Sequence, residues 1–232
     1  MTTSDYVDYV RQPDTAYLFE SAARELAQRV NAEPAASTIF VDRRYREGWP
    51  SIPFLLSDSV APNWFAAGND LALPAEAQPV EGEPVAIYAW PYEDLAFVAR
   101  ALQPPVLVDI EQGALARGDL ETRAYPLYVR YGARAYVAPD PVVIFDERVA
   151  LQDAVASVFN GERLRVELYW FTLSEITTAP LTVFVHVVAR DAAAGAPPVA
   201  QIDVPLAHGY WPVSGWQPGQ VLRQQHEIDL SE

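Results

Sequence analysis

From residue 163 onward the chain alternates. In RLRVELYWF (163–171), Leu164, Val166, Leu168 and Trp170 fall on one face while Arg163, Arg165 and Glu167 fall on the other, the two-residue period of a half-buried strand. LTVFVHVVAR (181–190), VAQIDVPL (199–206) and VLRQQHEIDL (221–230) repeat the pattern, with Gly and Pro turns between them. Several strands at short spacing, with no helical period among them, predict an antiparallel β-sandwich over 141–232.

The first half reads differently. TAYLFESAARELAQRVNA (15–32) places Tyr17, Ala23, Leu26, Ala27 and Val30 at helical spacing behind Asp14 as N-cap, which predicts one amphipathic helix. STIFVD (37–42) is a short apolar run, DRRYREGWP (42–50) reads as a polar turn, and SIPFLLSD (51–58) predicts a short helix capped by Ser51 with Pro53 in its first turn. PVAIYAW (84–90) then reads as a buried strand, PYEDLAFVARAL (91–102) as a helix with acids in its first turn, and VLVDI (106–110) as the next strand. Strand, helix, strand predicts parallel pairing. The expected fold is α+β in two domains: an N-terminal juxtamembrane-type segment and helix over 1–35, a small α/β domain with a mainly parallel sheet over 36–140, and the β-sandwich over 141–232.

Composition narrows the partners. The 232 residues carry 16 basic and 31 acidic side chains, a formal charge of −15, and every basic residue is Arg. Such a charge repels phosphate backbones and anionic headgroups, so neither nucleic-acid binding nor direct lipid insertion is expected. The chain has no Cys, which removes disulfides, thiolate catalysis and Cys-built zinc sites. No run reaches the roughly 18 apolar residues that a membrane span needs, and MTTSDYVDYV lacks the basic start and apolar core of a signal peptide.

Three groups of residues invite chemistry. HGYWPVSGWQPGQVL (208–222) gathers Tyr210, Trp211 and Trp216. One reading is a sandwich corner, with Gly215 and Gly219 supplying positive φ, Pro218 presetting the turn and Trp216 capping the core; the other is a sugar platform, which needs two exposed and roughly coplanar rings. We take the corner as the expectation. His186, on one face with Phe184 and Val188, and Asp203, on one face with Gln201, form either a cross-strand pair that pins register or a site for a water, a metal or a sugar hydroxyl; we take the register pair. With only His186, His208 and His226 in the chain, no metal site and no cofactor is expected. Finally, Arg43, Arg44, Trp49, Trp90 and Tyr92 follow predicted parallel strands, where α/β sheets bind ligands. They read either as solvated loop residues, the expectation here, or as a site for an anionic or sugar-bearing ligand. GxGxxG, P-loop, GxSxG and HExxH motifs are all missing from the sequence, and adjacent acids such as Glu93 and Asp94 are too common in so acidic a chain to indicate a glycosidase.

The run ELYWFTLSEITTAPLTVFVHVVARDAAAGAPPVAQIDVPLAHGYWPVSGWQPGQVLRQQHEIDL carries a further pattern. Tyr169 and Trp170 end one strand, Phe184 to His186 lie in a second, Gln201 and Asp203 in a third, and a G-Y-x-P stretch (Gly209 to Pro212) leads to a W-x-P-G turn at Trp216, Pro218 and Gly219. This resembles the C-terminal soluble module of large bacterial membrane proteins, many of them dolichyl-phosphate-mannose protein mannosyltransferases (glycosyltransferase family 39). Val213 stands where that family usually has Thr, and Gln224 or Gln225 where it often has Asp. YVDYVRQPDTAYLFESAARELAQRV is similar to the segment leading away from the last membrane helix in such proteins, and FVDRRYREGWPSIPFLL to the strand and turn that follow. The resemblance implies a non-catalytic extracytoplasmic region, at the outer face of the cell membrane, of a multi-span transferase that uses polyprenyl-phosphate sugar donors. The membrane-embedded portion of the same parent chain would be its partner and a glycan or acceptor peptide its ligand. The family's catalytic carboxylate lies between membrane helices, so this region is expected to have no catalytic residue. A free-standing carbohydrate-binding protein is the alternative, and a glycan hydrolase a third reading.

Overall fold

The computed structural model describes residues 21–66, 78–113, 115–117, 124–137, 139–159, 161–174, 176, 181–193 and 195–230. The protein is mostly β, built on mixed sheets, with two compact units: Met1–Asp94 with Glu111–Arg134, and Leu95–Ile110 with Ala135–Glu232. The chain therefore enters the second unit twice.

In the first unit, strands β1 (Thr38–Asp42), β2 (Asn63–Phe65), β3 (Val85–Ala89) and β7 (Val129–Ala135) lie in the order β2-β1-β3-β7. Both neighbours of β1 run parallel to it. Every position of β3 is buried, as expected of a strand with two covered faces, but its other neighbour, β7, runs antiparallel. Parallel pairing thus stops at β3. Helix α1 (Ser21–Asn31) lays Ala22, Ala23, Leu26 and Val30 on Ile39, Val41, Ala86 and Tyr88, the i, i+4 stripe that its sequence predicts. Asp14 and the expected first turn lie outside the described residues.

The expected polar turn at 42–50 is instead a helix. Helix α2 (Arg43–Gly48) starts behind Asp42, whose side chain accepts the Arg44 backbone N–H at 2.9 Å. An Asp directly before the run is an N-cap signal that outweighs its charged composition. Helix α3 (Ile52–Leu55) follows Ser51 with Pro53 in its first turn, as expected, although the Ser51 hydroxyl makes no capping bond. A short antiparallel pair, β5 (Leu115–Arg117) and β6 (Ala124–Pro126), completes the described part of this unit.

The second unit opens with helix α4 (Ala96–Ala101), shorter than the expected 91–102. Strand β4 (Val106–Gln112) then pairs in parallel with β13 (Gln220–Asp229). Strands β8 (Val143–Phe145), β9 (Val149–Phe159) and β10 (Arg163–Thr172) extend this sheet, all antiparallel, in the order β4-β13-β10-β9-β8. The predicted strands at 181–206 are β11 (Thr182–Val187) and β12 (Ala200–Pro205), and they form a separate antiparallel pair. Where two full sheets were expected, the second has two strands among the described residues.

The corner at 215–220 locks this unit. Trp216 is 2 % exposed, and its indole N–H donates to the Gln220 carbonyl at 3.0 Å. The Gln220 side chain, wholly buried, donates to the Ala99 and Leu102 carbonyls and accepts the Gln217 N–H, while the Gln217 side chain also donates to Ala99. These amides satisfy the carbonyls that the end of a helix leaves unpaired. Gly219 has the expected positive φ of 88°. Gly215 does not, and its role is close approach: a Cβ there would sit 3.0 Å from the Ala96 carbonyl and 3.1 Å from the Ala99 Cβ. Trp211 is also 2 % exposed, so it too is a core residue.

Truncating a buried Trp typically costs about 3–5 kcal/mol. Trp216→Ala and Trp211→Ala are both expected to lower the chemical-denaturation midpoint of the second unit substantially. A Trp216→Ala midpoint equal to the parent's would show that 215–220 is not a packed corner.

Candidate functional site

At the carboxyl ends of β1 and β3, the first unit gathers aromatic rings around one ion cluster. Asp42, the last residue of β1, is completely buried. Besides capping α2, its carboxylate accepts Arg44 Nε at 2.9 Å and Nη2 at 2.5 Å. Arg44 Nη2 also donates to Glu93, in the segment after β3. A buried carboxylate requires this kind of fork-shaped, charge-assisted partner. The hydrogen bond to Asp42 is the main reason the guanidinium is held above its ordinary pKa, with the Glu93 bond adding to it. Glu93 was expected in the first turn of a helix; bonded to Arg44 instead, it lies before a helix that begins at Ala96.

Tyr45 forms the floor of the cluster. It is completely buried, and its single O–H is shared between the carbonyls of Ala89 and Leu127, at 2.9 and 3.1 Å. Burial pushes the phenol's pKa well up, so it stays a neutral donor. Trp49 stacks on Tyr45 with centroids 5.9 Å apart and planes 10° apart, and Trp90 packs tilted at 5.5 Å. Arg44 lies 5.4 Å from the Trp90 ring centre, and Tyr92 meets that ring edge-on at 5.7 Å, an arrangement favoured by the quadrupole of an aromatic face. Trp49 and Trp90 are half-buried, whereas Tyr92 is 53 % exposed. The result is a ring-lined surface with the part-exposed Glu93 carboxylate and Arg44 guanidinium beside it and Asp42 buried beneath, a set of donors, acceptors and apolar faces that suits polyhydroxylated ligands.

Of the residues singled out from sequence, Arg44, Trp49, Trp90 and Tyr92 are brought together here. Arg43 is not; it is exposed and pairs with Glu47 along α2 at 3.5 Å. Asp42, Tyr45 and Glu93 complete the cluster without having been singled out. Only Asp42 carried a readable signal, as an Asp preceding a possible helix. A second polar network in this unit was also unforeseen: Glu33 accepts two hydrogen bonds from Arg130 and one from Tyr88. Burial by itself would raise the Glu33 carboxyl, but these bonds together outweigh it and hold its pKa below the ordinary value.

The aromatic stretch of the second unit has a different character. Trp211 and Trp216 are buried and Tyr210 half-buried, so the two exposed rings that a platform needs are not present. His186 and Asp203 form a diagonal cross-strand pair at 3.8 Å on an exposed face, since the register places His186 opposite Gln201 and Phe184 opposite Asp203. Ala207, His208 and Gly209 are consecutive left-handed residues, with φ of 49°, 56° and 82°. For the first two this conformation costs roughly 1–2 kcal/mol each, and it turns the His208 ring to within 5.8 Å of the His226 ring. Burial lowers the pKa of both imidazoles, and in His226 the nearby His208 adds to the effect, bringing it to about 4. Both are neutral at pH 7. No group of three or more His, Cys, Asp or Glu positioned to hold a metal occurs among the described residues.

Removing the cation from a buried pair strands the other charge, at a typical cost of about 3–5 kcal/mol. Arg44→Gln is therefore expected to destabilise the first unit by about 3 kcal/mol in urea denaturation, and adding Asp42→Asn to restore part of the loss. No such restoration would mean that Asp42 is not the group Arg44 compensates. His226 predicts an acid effect in the second unit. Its folded pKa lies below the unfolded one, so its contribution is full above the ordinary value of 6.5 and is lost as pH falls toward 4. The loss is of order 3 kcal/mol. Denaturation at pH 7 and pH 4 should show His226→Phe losing less stability between the two than the parent; equal losses would exclude His226 as the source.

No protein-family model matches this chain, and no curated protein or solved structure matches it either.

Proposed function

We propose that this chain is the non-catalytic extracytoplasmic region of a membrane glycosyltransferase that uses polyprenyl-phosphate sugar donors, and that it binds glycan at the carboxyl ends of β1 and β3. In this reading the first unit is a small α/β domain and the second a β-sandwich whose second sheet is short. The observation that carries the binding half is the half-exposed Trp49, Trp90 and Tyr92 surface beside the Asp42–Arg44–Glu93 cluster. Sugars present apolar C–H faces to rings and hydroxyls to bidentate groups, and both kinds of partner lie together there. The parent assignment is supported by the motif run at 169–219. Its W-x-P-G element is the corner at which Trp216 and Gln220 secure α4.

Calorimetry of the whole chain against a panel of mannose-, glucose- and galactose-containing oligosaccharides tests the binding half. Binding of one class is expected, weakened at least about tenfold by Tyr92→Ala and by Trp90→Ala, each shown to be folded by circular dichroism. Binding that survives both substitutions would remove this site. The parent half predicts in-frame apolar spans encoded upstream of Met1, and a stop codon directly before Met1 would refute it.

A further inference from the structure

A mostly apolar cavity of about 440 Å³ lies in the second unit. Phe145, Val149, Trp170, Val183, Phe184 and Leu206 contribute to its wall, and Phe145 and Trp170 pack tilted with centroids 5.9 Å apart. Val183 and Phe184 are successive residues of β11, and successive side chains of a strand point to opposite faces. A cavity touched by both must wrap the edge of that strand. It lies at the start of β11, since Leu181 and Leu206, the hydrogen-bonded pair at that end, also line it, and among the described residues β11 has no strand neighbour besides β12. The opposite wall holds Phe145, the last residue of β8, which is itself the outer strand of the five-stranded arrangement. The cavity lies between the start of β11 and the strands β8, β9 and β10, which contribute Phe145, Val149 and Trp170.

The backbone of β11 turns outward groups beside this cavity that have no partner strand among the described residues. Leu206 N–H donates to the Leu181 carbonyl at 2.8 Å, and in an antiparallel ladder the residues bonded to the partner alternate with residues whose N–H and C=O point away. With Leu181 bonded inward, Thr182, Phe184 and His186 present theirs outward. The register agrees, since Thr182 lies opposite Pro205, which has no N–H to donate. Free edges of this kind are usually blunted by charge or bulges. Here Phe184 is 65 % exposed and Phe145 47 % exposed. Asp146 and Arg148 both line the cavity, 3.8 Å apart, with Glu147 between them in sequence; Asp203 lies opposite Phe184 and 3.8 Å from His186, and the chain as a whole carries −15.

We propose that this edge binds an extended peptide segment that adds as a strand to β11, seats one bulky apolar side chain in the cavity and carries Lys or Arg at its flanks. Main-chain hydrogen bonds would supply affinity and the cavity would select the side chain, the division of labour found in strand addition; the net charge of −15 favours cationic flanks. The inference uses the second unit alone and stands whether or not glycan binds the first.

The test uses the whole chain and a blocked nonapeptide of alternating leucine and threonine with lysine at both ends, followed by calorimetry. A Kd on the order of 10 μM is expected, with binding lost when the leucines become serine. Phe184→Asp should weaken it at least about tenfold. That substitution adds negative charge and would strengthen nonspecific attraction, so unchanged or tighter binding overturns the proposal. Thr182→Pro removes an outward N–H at a residue of the cavity wall and should weaken binding as well; if both folded variants bind like the parent, the edge is not the site. Sedimentation equilibrium provides the remaining arm. Self-association that Phe184→Asp abolishes, with no peptide binding, would assign the edge to a second copy of the chain and refute the peptide.

Discussion

A carboxylate with no access to water sets the geometry of the first unit. Asp42 ends β1 completely buried, and leaving that charge uncompensated would cost several kcal/mol. The chain answers by turning at once into α2, so that the Arg44 backbone and guanidinium both reach back to it. The same turn carries Tyr45 into the core, where its hydroxyl fixes the carbonyls of Ala89 and Leu127. Trp49 and Trp90 then have a rigid ring to pack against. The aromatic surface is thus a consequence of how one buried charge is satisfied, and its ring positions inherit the precision of that ion pair.

The second unit solves a similar problem with a neutral group. Helix α4 has only six residues, too few to be stable by itself, and it ends against the turn preceding β13. Gln220 reaches its last carbonyls from inside the core, and Trp216 closes over the Gln220 backbone. An amide serves here where a charge would not, because it can donate and accept without a counter-ion. Gly215 completes the fit by having no side chain to hold the turn away from Ala96 and Ala99.

What the sequence revealed follows from which forces are local. The alternation in 163–171 and 221–230 reappears as β10 and β13, paired from Arg163 opposite Asp229 to Phe171 opposite Val221, because a period of two reports burial directly. The role of Trp216 was also readable, from the turn chemistry around it. Pairing partners were not. VLVDI has the composition of a parallel strand, but nothing in it specifies that its parallel neighbour is β13, more than a hundred residues later. The polar run after β1 concealed a helix, since five charged or bulky residues and a glycine decide little until the buried Asp42 is known. Of the candidate ligand residues, Arg44 and Arg43 are identical in sequence terms. One is drawn in by Asp42 and Glu93, and the other pairs with Glu47 on the surface.

The two candidate sites differ in a way that follows from these constraints. At the ends of β1 and β3 each polar group is committed: Arg44 serves two carboxylates and Tyr45 serves two carbonyls. A ligand there meets preformed geometry and must compete for hydrogen bonds already in use, which favours many weak, shallow contacts over one deep anchor. At β11 the opposite holds. Its outward backbone groups have no partner strand among the described residues, and the apolar wall beside them includes the exposed rings of Phe145 and Phe184. Keeping such an edge open carries an aggregation hazard, and the acidity of the chain offsets it, since copies at −15 repel one another. The same charge would favour the cationic segment proposed for that edge, so one property of the composition bears on both its protection and its proposed occupant.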